Sequence, residues 1–144
     1  MSSFIEELKK EHKAVLEIFS QLHRLGITSD AVFEKLLRTK DMLLRHLKKE
    51  DDLLYPKLQA AAEDDHKLKS KLEFFAEDTT IVTNYAFQFY NDLANGTSVS
   101  NLAKELGELT AILKMRILKE ENILFPEYEK IASAEPSNQS SSKA

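Results

Sequence analysis

One stretch of this chain is written twice, 70 residues apart: HLKKEDDLLYP from His46 and RILKEENILFP from Arg116. Leu43, Leu47, Lys49, Glu50, Leu53, Leu54, Tyr55 and Pro56 fall on Leu113, Ile117, Lys119, Glu120, Ile123, Leu124, Phe125 and Pro126. Both copies keep apolar residues at helical spacing, a carboxylate at one fixed place and a proline six residues beyond it. Such a repeat implies two similar helical units that bury the same face. The first copy carries His-x-x-x-Glu, two ligand-type side chains one helical turn apart on one face. The second keeps Glu120 and puts Arg116 where the histidine stands.

The repeat sits within four amphipathic segments. The first runs from about Ser3, read as an N-cap with Glu6 three residues on, to Gly26. Its stripe is Ile5, Leu8, Val15, Leu16, Phe19 and Leu22, with His12 inside it. The second follows Thr28-Ser29-Asp30, carries Phe33, Leu36, Leu37, Leu43, Leu47, Leu54 and Leu58, and fades in AAAEDD. The third spans Asp65 to Asn95-Gly96. The fourth begins between Thr97 and Ser100 and reaches about Ala132. Segments one and three also match at an offset of 66, which sets Asp78 opposite His12, with Glu77 and Thr79 as the neighbouring registers. Short connections force antiparallel neighbours, so the expected fold is all-α, an up-down-up-down four-helix bundle made of a duplicated hairpin. The domain is expected over residues 1–132, with 133–144 a disordered polar tail. Pro56 and Pro126 each remove a backbone donor and are expected to kink their helices at one depth.

Composition closes off other classes. With 3 glycines, 3 prolines and helix formers dominant, a turn-rich β fold is excluded. The absence of cysteine removes disulfides, iron–sulfur clusters, thiolate zinc sites and thiol nucleophiles. A net charge of −4 with interleaved signs is a solvated surface, so no nucleic-acid partner is expected. No apolar run reaches the roughly 18 residues of a membrane span. The charged N-terminus is unlike a signal peptide, so the expected location is cytoplasmic.

Ionisable residues occupy apolar positions of the pattern. His12, His46, Glu50, Arg116 and Glu120 fall on the buried stripes, and Asp78 at or beside one. A buried carboxylate must find a partner. Two partners are open: a metal ion held by His12, His46, Glu50, Asp78 and Glu120, or the guanidinium of Arg116. Two imidazoles and three carboxylates suit iron, manganese or zinc. Arginine has no lone pair to give a cation.

The helix-one histidine, HLKKEDDLLYP and EENILFP together resemble the hemerythrin-like, or HHE cation-binding, domains over residues 3 to about 132. The resemblance implies a four-helix bundle around a non-haem di-iron centre, with binding of oxygen or nitric oxide, or iron and redox sensing. His12, His46, Glu50 and Glu120 match the motif; Arg116 and Asp78 depart from it where histidines belong. The expectation is therefore a non-enzymatic module holding iron, mononuclear or weakly di-iron. The alternative is a metal-free descendant acting as an interaction or regulatory module, with Arg116 replacing the metal charge and a protein partner or second copy on the aromatic third helix. His23 and His66 are read as helix-end or exposed residues. Tyr55, Phe125 and Tyr128 are read as packing, with a tyrosine near the site the minor reading. Gly107 allows a close helix approach or marks a later start of helix four.

Overall fold

The computed structural model describes residues 3–26 and 29–134, with Leu25 described by its backbone alone. Four helical columns result. Helix α1 is Ser3–Leu25. Helix α2 runs as α-helix over Asp30–Lys49, widens to a π-helical turn over Glu50–Leu54 and resumes as α-helix over Tyr55–Ala62. Helix α3 is His66–Ala94. Helix α4 repeats the design of α2, with Val99–Lys119, a π-helical turn at Glu120–Leu124, and Phe125–Ala134. Each helix packs on its neighbour in sequence, and α1 packs on α4 to close the bundle.

The boundaries follow local chemistry. Ser29 caps α2 by accepting from the Val32 N–H, Asp65 caps α3 by accepting from Lys67 and Leu68, and Ser98 caps α4 by accepting from Asn101. Gly26 and Gly96 end α1 and α3 at φ 80° and 74°, where a side chain would be strained. Ser3, expected as a cap, is already helical. Helix α4 passes the expected end at Ala132 to take in Ser133 and Ala134; the expected tail over 135–144 lies outside the described residues.

A π-helical turn stands immediately before the stretch that holds each proline. Buried residues of α2 fall at Leu36, Thr39, Leu43 and His46, then at Glu50, Leu54, Leu58 and Ala62. The spacing changes from alternating threes and fours to unbroken fours, which a 3.6-residue helix would carry steadily around its axis. The π turn absorbs the surplus: the Tyr55 N–H bonds the Glu50 carbonyl, five residues back, and the Phe125 N–H bonds Glu120 likewise. Pro56 and Pro126 follow immediately, early in a new α-helical stretch that tolerates a missing donor.

The core has two apolar parts. Val15, Phe19, Leu36, Leu43, Phe89 and Leu106 belong to the part nearer the Gly26 and Gly96 ends. Ile5, Leu8, Leu54, Leu58, Phe75, Leu124 and Phe125 form the other. Each fully buried Leu or Phe contributes roughly 1.5–3 kcal/mol. Of the α3 aromatics, Phe75, Phe89 and Tyr90 are buried, whereas Phe74, Tyr85 and Phe87 lie on the surface. Leu37, expected in the core, sits at the surface edge; Thr39 is buried instead, its hydroxyl 2.7 Å from the Tyr90 hydroxyl.

Gly107 lies inside α4, so it marks no later start. A Cβ there would stand 2.8 Å from His23 Nε2. That ring tip is the end of a flexible, exposed side chain able to swing aside. Gly107→Ala should therefore stabilise the fold, by about 0.5–1 kcal/mol of helix propensity less the cost of moving the ring. Gly96→Ala has open space but a positive φ, and should destabilise. Thermal melts of the two variants should shift in opposite directions.

Candidate metal centre

Between the two apolar clusters lies a layer of ionisable groups. His12 stands between Leu8 and Val15, His46 and Glu50 between Leu43 and Leu54, Arg116 and Glu120 between Leu113 and Leu124. These five side chains belong to residues no more than 6 % exposed. Their placement follows from the repeat: His46 and Arg116 precede the two π turns by one helical turn, and Glu50 and Glu120 open them.

His12, His46, Glu50 and Glu120 each offer one donor atom to a common point, and the four atoms lie within 4.8 Å of one another. His12 Nε2 is 3.1 Å from Glu120 Oε1 and 3.7 Å from Glu50 Oε2, and His46 Nε2 is 3.2 Å from Glu50 Oε2. These approaches are not aligned hydrogen bonds: His12 Nε2, His46 Nε2 and Glu50 Oε2 are buried without a hydrogen-bond partner. Such orphaned atoms are rare in protein interiors. The outward nitrogens, by contrast, are fixed. His12 Nδ1 is 2.8 Å from Glu121 Oε2 and His46 Nδ1 is 2.7 Å from Glu11 Oε1. A carboxylate on the far nitrogen is how metal-binding imidazoles are usually held. Phe125 stacks on the His12 ring at 5.5 Å. The free space beside the group, about 30 Å³, is more than the roughly 10–15 Å³ needed for one bound water. The donor set, its burial and its orphaned atoms fit a cation.

Asp78 is placed elsewhere, and the helix register explains why. Buried positions of α1 and α3 align at an offset of 67, not 66: Leu8 with Phe75, Val15 with Val82, Phe19 with Ala86, Leu22 with Phe89. Thr79, which lines the cavity, is thus the counterpart of His12. Asp78 is the counterpart of Glu11 and plays the matching part, accepting from Arg116 Nη1 at 3.2 Å as Glu11 meets His46. The expectation that Asp78 stands opposite His12 is corrected by one residue, because the faint α1/α3 match was set by side-chain type and the packing by which face is buried.

Arg116 points inward. Its Nη1 also donates to the Phe75 carbonyl at 3.0 Å, and its Nη2 donates to the Tyr55 hydroxyl at 2.7 Å and to Thr79 Oγ1 at 2.5 Å. Its Nε is 3.5 Å from Glu120 Oε2, which accepts from the Tyr55 hydroxyl at 3.0 Å. Tyr55 is therefore a site residue, which its sequence position beside Pro56 disguised as packing. Glu11 and Glu121 were hidden too, as surface-type residues adjacent to His12 and Glu120. His23 and His66 are exposed and lie apart from the cluster.

Protons and a cation compete for these groups. Burial pushes the His12 imidazolium toward neutrality, but Glu120 and Glu50, with Glu121 behind, more than offset this and hold its pKa up at about 10. His46 is raised in the same way: burial opposes the charge and Glu50 outweighs it. Burial would raise Glu50, yet the two histidines bring it down to about 2. Glu120 moves upward, through burial and then the nearby Glu50 charge, against the pull of His12 and Arg116.

Two outcomes are expected. Arg116→Leu leaves Asp78 without its cation and Glu120 with His12 alone, and should cost about 3–5 kcal/mol in denaturant unfolding. In chelator-treated protein, the raised His12 pKa stabilises the fold fully below its unfolded value near 6.5, and this contribution is lost as pH rises through about 10. Melting temperature should therefore fall across that window, and His12→Gln should flatten the decline.

The family model for the hemerythrin HHE cation-binding domain matches residues 3–128. No curated protein and no solved structure matches the chain.

Proposed function

Because the chain belongs to the hemerythrin family of HHE cation-binding domains, we propose that His12, His46, Glu50 and Glu120 hold a single transition-metal ion, iron, in a non-enzymatic module. The observation that carries this is the set of three inward donor atoms without hydrogen-bond partners, on imidazoles whose outer nitrogens are tied to Glu121 and Glu11. Two imidazoles with two carboxylates suit iron, manganese or zinc, and the family resemblance favours iron. One ion is proposed, not two, because the Arg116 guanidinium fills the other half of the layer. It has no lone pair, and its fixed charge repels a second dication.

Bound there, iron would supply open coordination positions to a small neutral ligand such as oxygen or nitric oxide, the basis for carrying or sensing one. The chain's own groups do the rest. Glu11 and Glu121 orient the imidazoles and keep Nε2 aimed inward. Tyr55 donates to the distal oxygen of Glu120 and so leaves its other oxygen for the ion. Phe125 keeps bulk water off the His12 ring. No helix among the described residues is long and apolar enough to cross a membrane.

Plasma mass spectrometry on untagged protein from iron-supplemented culture should find about one iron per chain. His46→Ala should abolish it, and chelation should lower the melting temperature by the linkage of binding to folding. Wild-type protein without transition metal would sink the reading.

A second reading has its own support in the satisfied Arg116 network, which neutralises half the layer without any ion. In it the protein is a metal-free interaction module, and chelation leaves the melting temperature unchanged.

A further inference from the structure

Two surface grooves share lining residues with the cavity beside the four donor side chains, and they differ in how many charged side chains line them. The groove between α2 and α3 has a free volume of about 260 Å³ and is walled mainly by Leu44, Ala86, Phe87 and Tyr90, with Lys40 and Asn91 as its polar members. Leu43, Leu47 and Thr83 line both this groove and the inner cavity. Leu43 is buried, Leu47 half-buried and Thr83 at the surface, so the three step inward from solvent to donors. Phe87 is 77 % exposed and Leu44 53 % exposed at the mouth.

The other groove, between α1 and α2, shares Glu11, Val15 and His46 with the cavity. It is rimmed by Arg45, Lys48, Lys49 and Asp52, around an apolar floor that includes Ala14 and Met42. Lys49 Nζ bridges it, bonding Glu11 and, at 2.8 Å, Glu7 on α1. The charged approach is thus latched by ion pairs, whereas the other is narrowed by two leucines and a threonine.

Resting on the reading of a single-ion centre, we propose that the α2/α3 groove is the entry route for small neutral ligands, with Leu47 and Thr83 as its gate. An apolar passage admits an uncharged diatomic molecule at little cost, while an anion would have to shed its hydration shell. Leu47 lies on the turn between His46 and Glu50, and Thr83 stands on the facing helix. Rotamer changes at these two positions widen or narrow the shared lining that they form together with buried Leu43. Xenon, which enters apolar cavities, serves as a metal-independent probe of the same path.

The test has two arms. Metal-free crystals pressurised with xenon should show it against Leu43, Leu47 and Thr83, and Thr83→Phe should remove it; an empty groove in wild type overturns the route. In ferrous-loaded protein followed by stopped flow, Leu47→Trp and Thr83→Phe should each slow nitric oxide association and dissociation together, by ~tenfold, with affinity unchanged. Thr83→Phe carries the test if Leu47→Trp disturbs its neighbouring donors, which iron content per chain reports. Lys49→Ala, which unlatches the other groove, should leave both rates unaltered. Rates insensitive to both gate variants, or accelerated by Lys49→Ala, overturn the assignment. Protein that takes up no iron sinks the single-ion centre, while the xenon arm still decides the route.

Discussion

Everything in this bundle is arranged around the cost of burying charge. Five ionisable side chains occupy one layer of a core that is mainly apolar above and below. An isolated carboxylate there would cost several kcal/mol, so each must be answered by an opposite charge. The layer divides the task. On one side Arg116 answers Asp78 and Glu120 with donors that are all accounted for in its surroundings. On the other, two histidines and Glu50 converge with donor atoms left over, an arrangement that protons can neutralise and a cation can complete.

The two halves are variations on one hairpin. His46 and Arg116 correspond, as do Glu11 and Asp78, Tyr55 and Phe125, His12 and Thr79. In each half a carboxylate on the odd-numbered helix fixes the side chain that begins the repeat. The aromatic partners have diverged with the charge they serve. Phe125 presents a flat face to the His12 ring, whereas Tyr55 keeps a hydroxyl that bridges the guanidinium and Glu120. Arginine at this place in the repeat is thus met by groups that the histidine half does not have.

The π turns give this layer its depth. Each begins at the carboxylate that faces the site, and each takes up the extra residue that a run of four-residue spacings demands. Interior carboxylates are consequently set at the start of a widened turn in both halves, just where the helix changes face. The same local geometry leaves Leu53 outside while Leu54 enters the core. A plain α-helix through either segment could not bury both the donor residues and the apolar residues that follow.

Much of this was legible in the chain itself. The helical period, the breaks at Thr28-Ser29-Asp30, near Asp65 and between Thr97 and Ser100, the two glycine stops and the 70-residue repeat determined four helices, their order and the buried position of His12, His46, Glu50, Arg116 and Glu120, because periodicity alone dictates which residues share a face. Three matters were decided only by tertiary packing. The α1/α3 register settled at 67, because burial and not side-chain resemblance aligns two helices, and this made Asp78 a partner of Arg116 and Thr79 the cavity residue. Glu11, Glu121 and Tyr55 became site residues through contacts 35 to 109 positions apart in sequence, which no local pattern records. The direction of the Arg116 side chain, inward onto Tyr55 and Thr79 and not outward to solvent, was likewise open in the sequence: a long flexible cation turns toward whichever set of acceptors the folded neighbours provide.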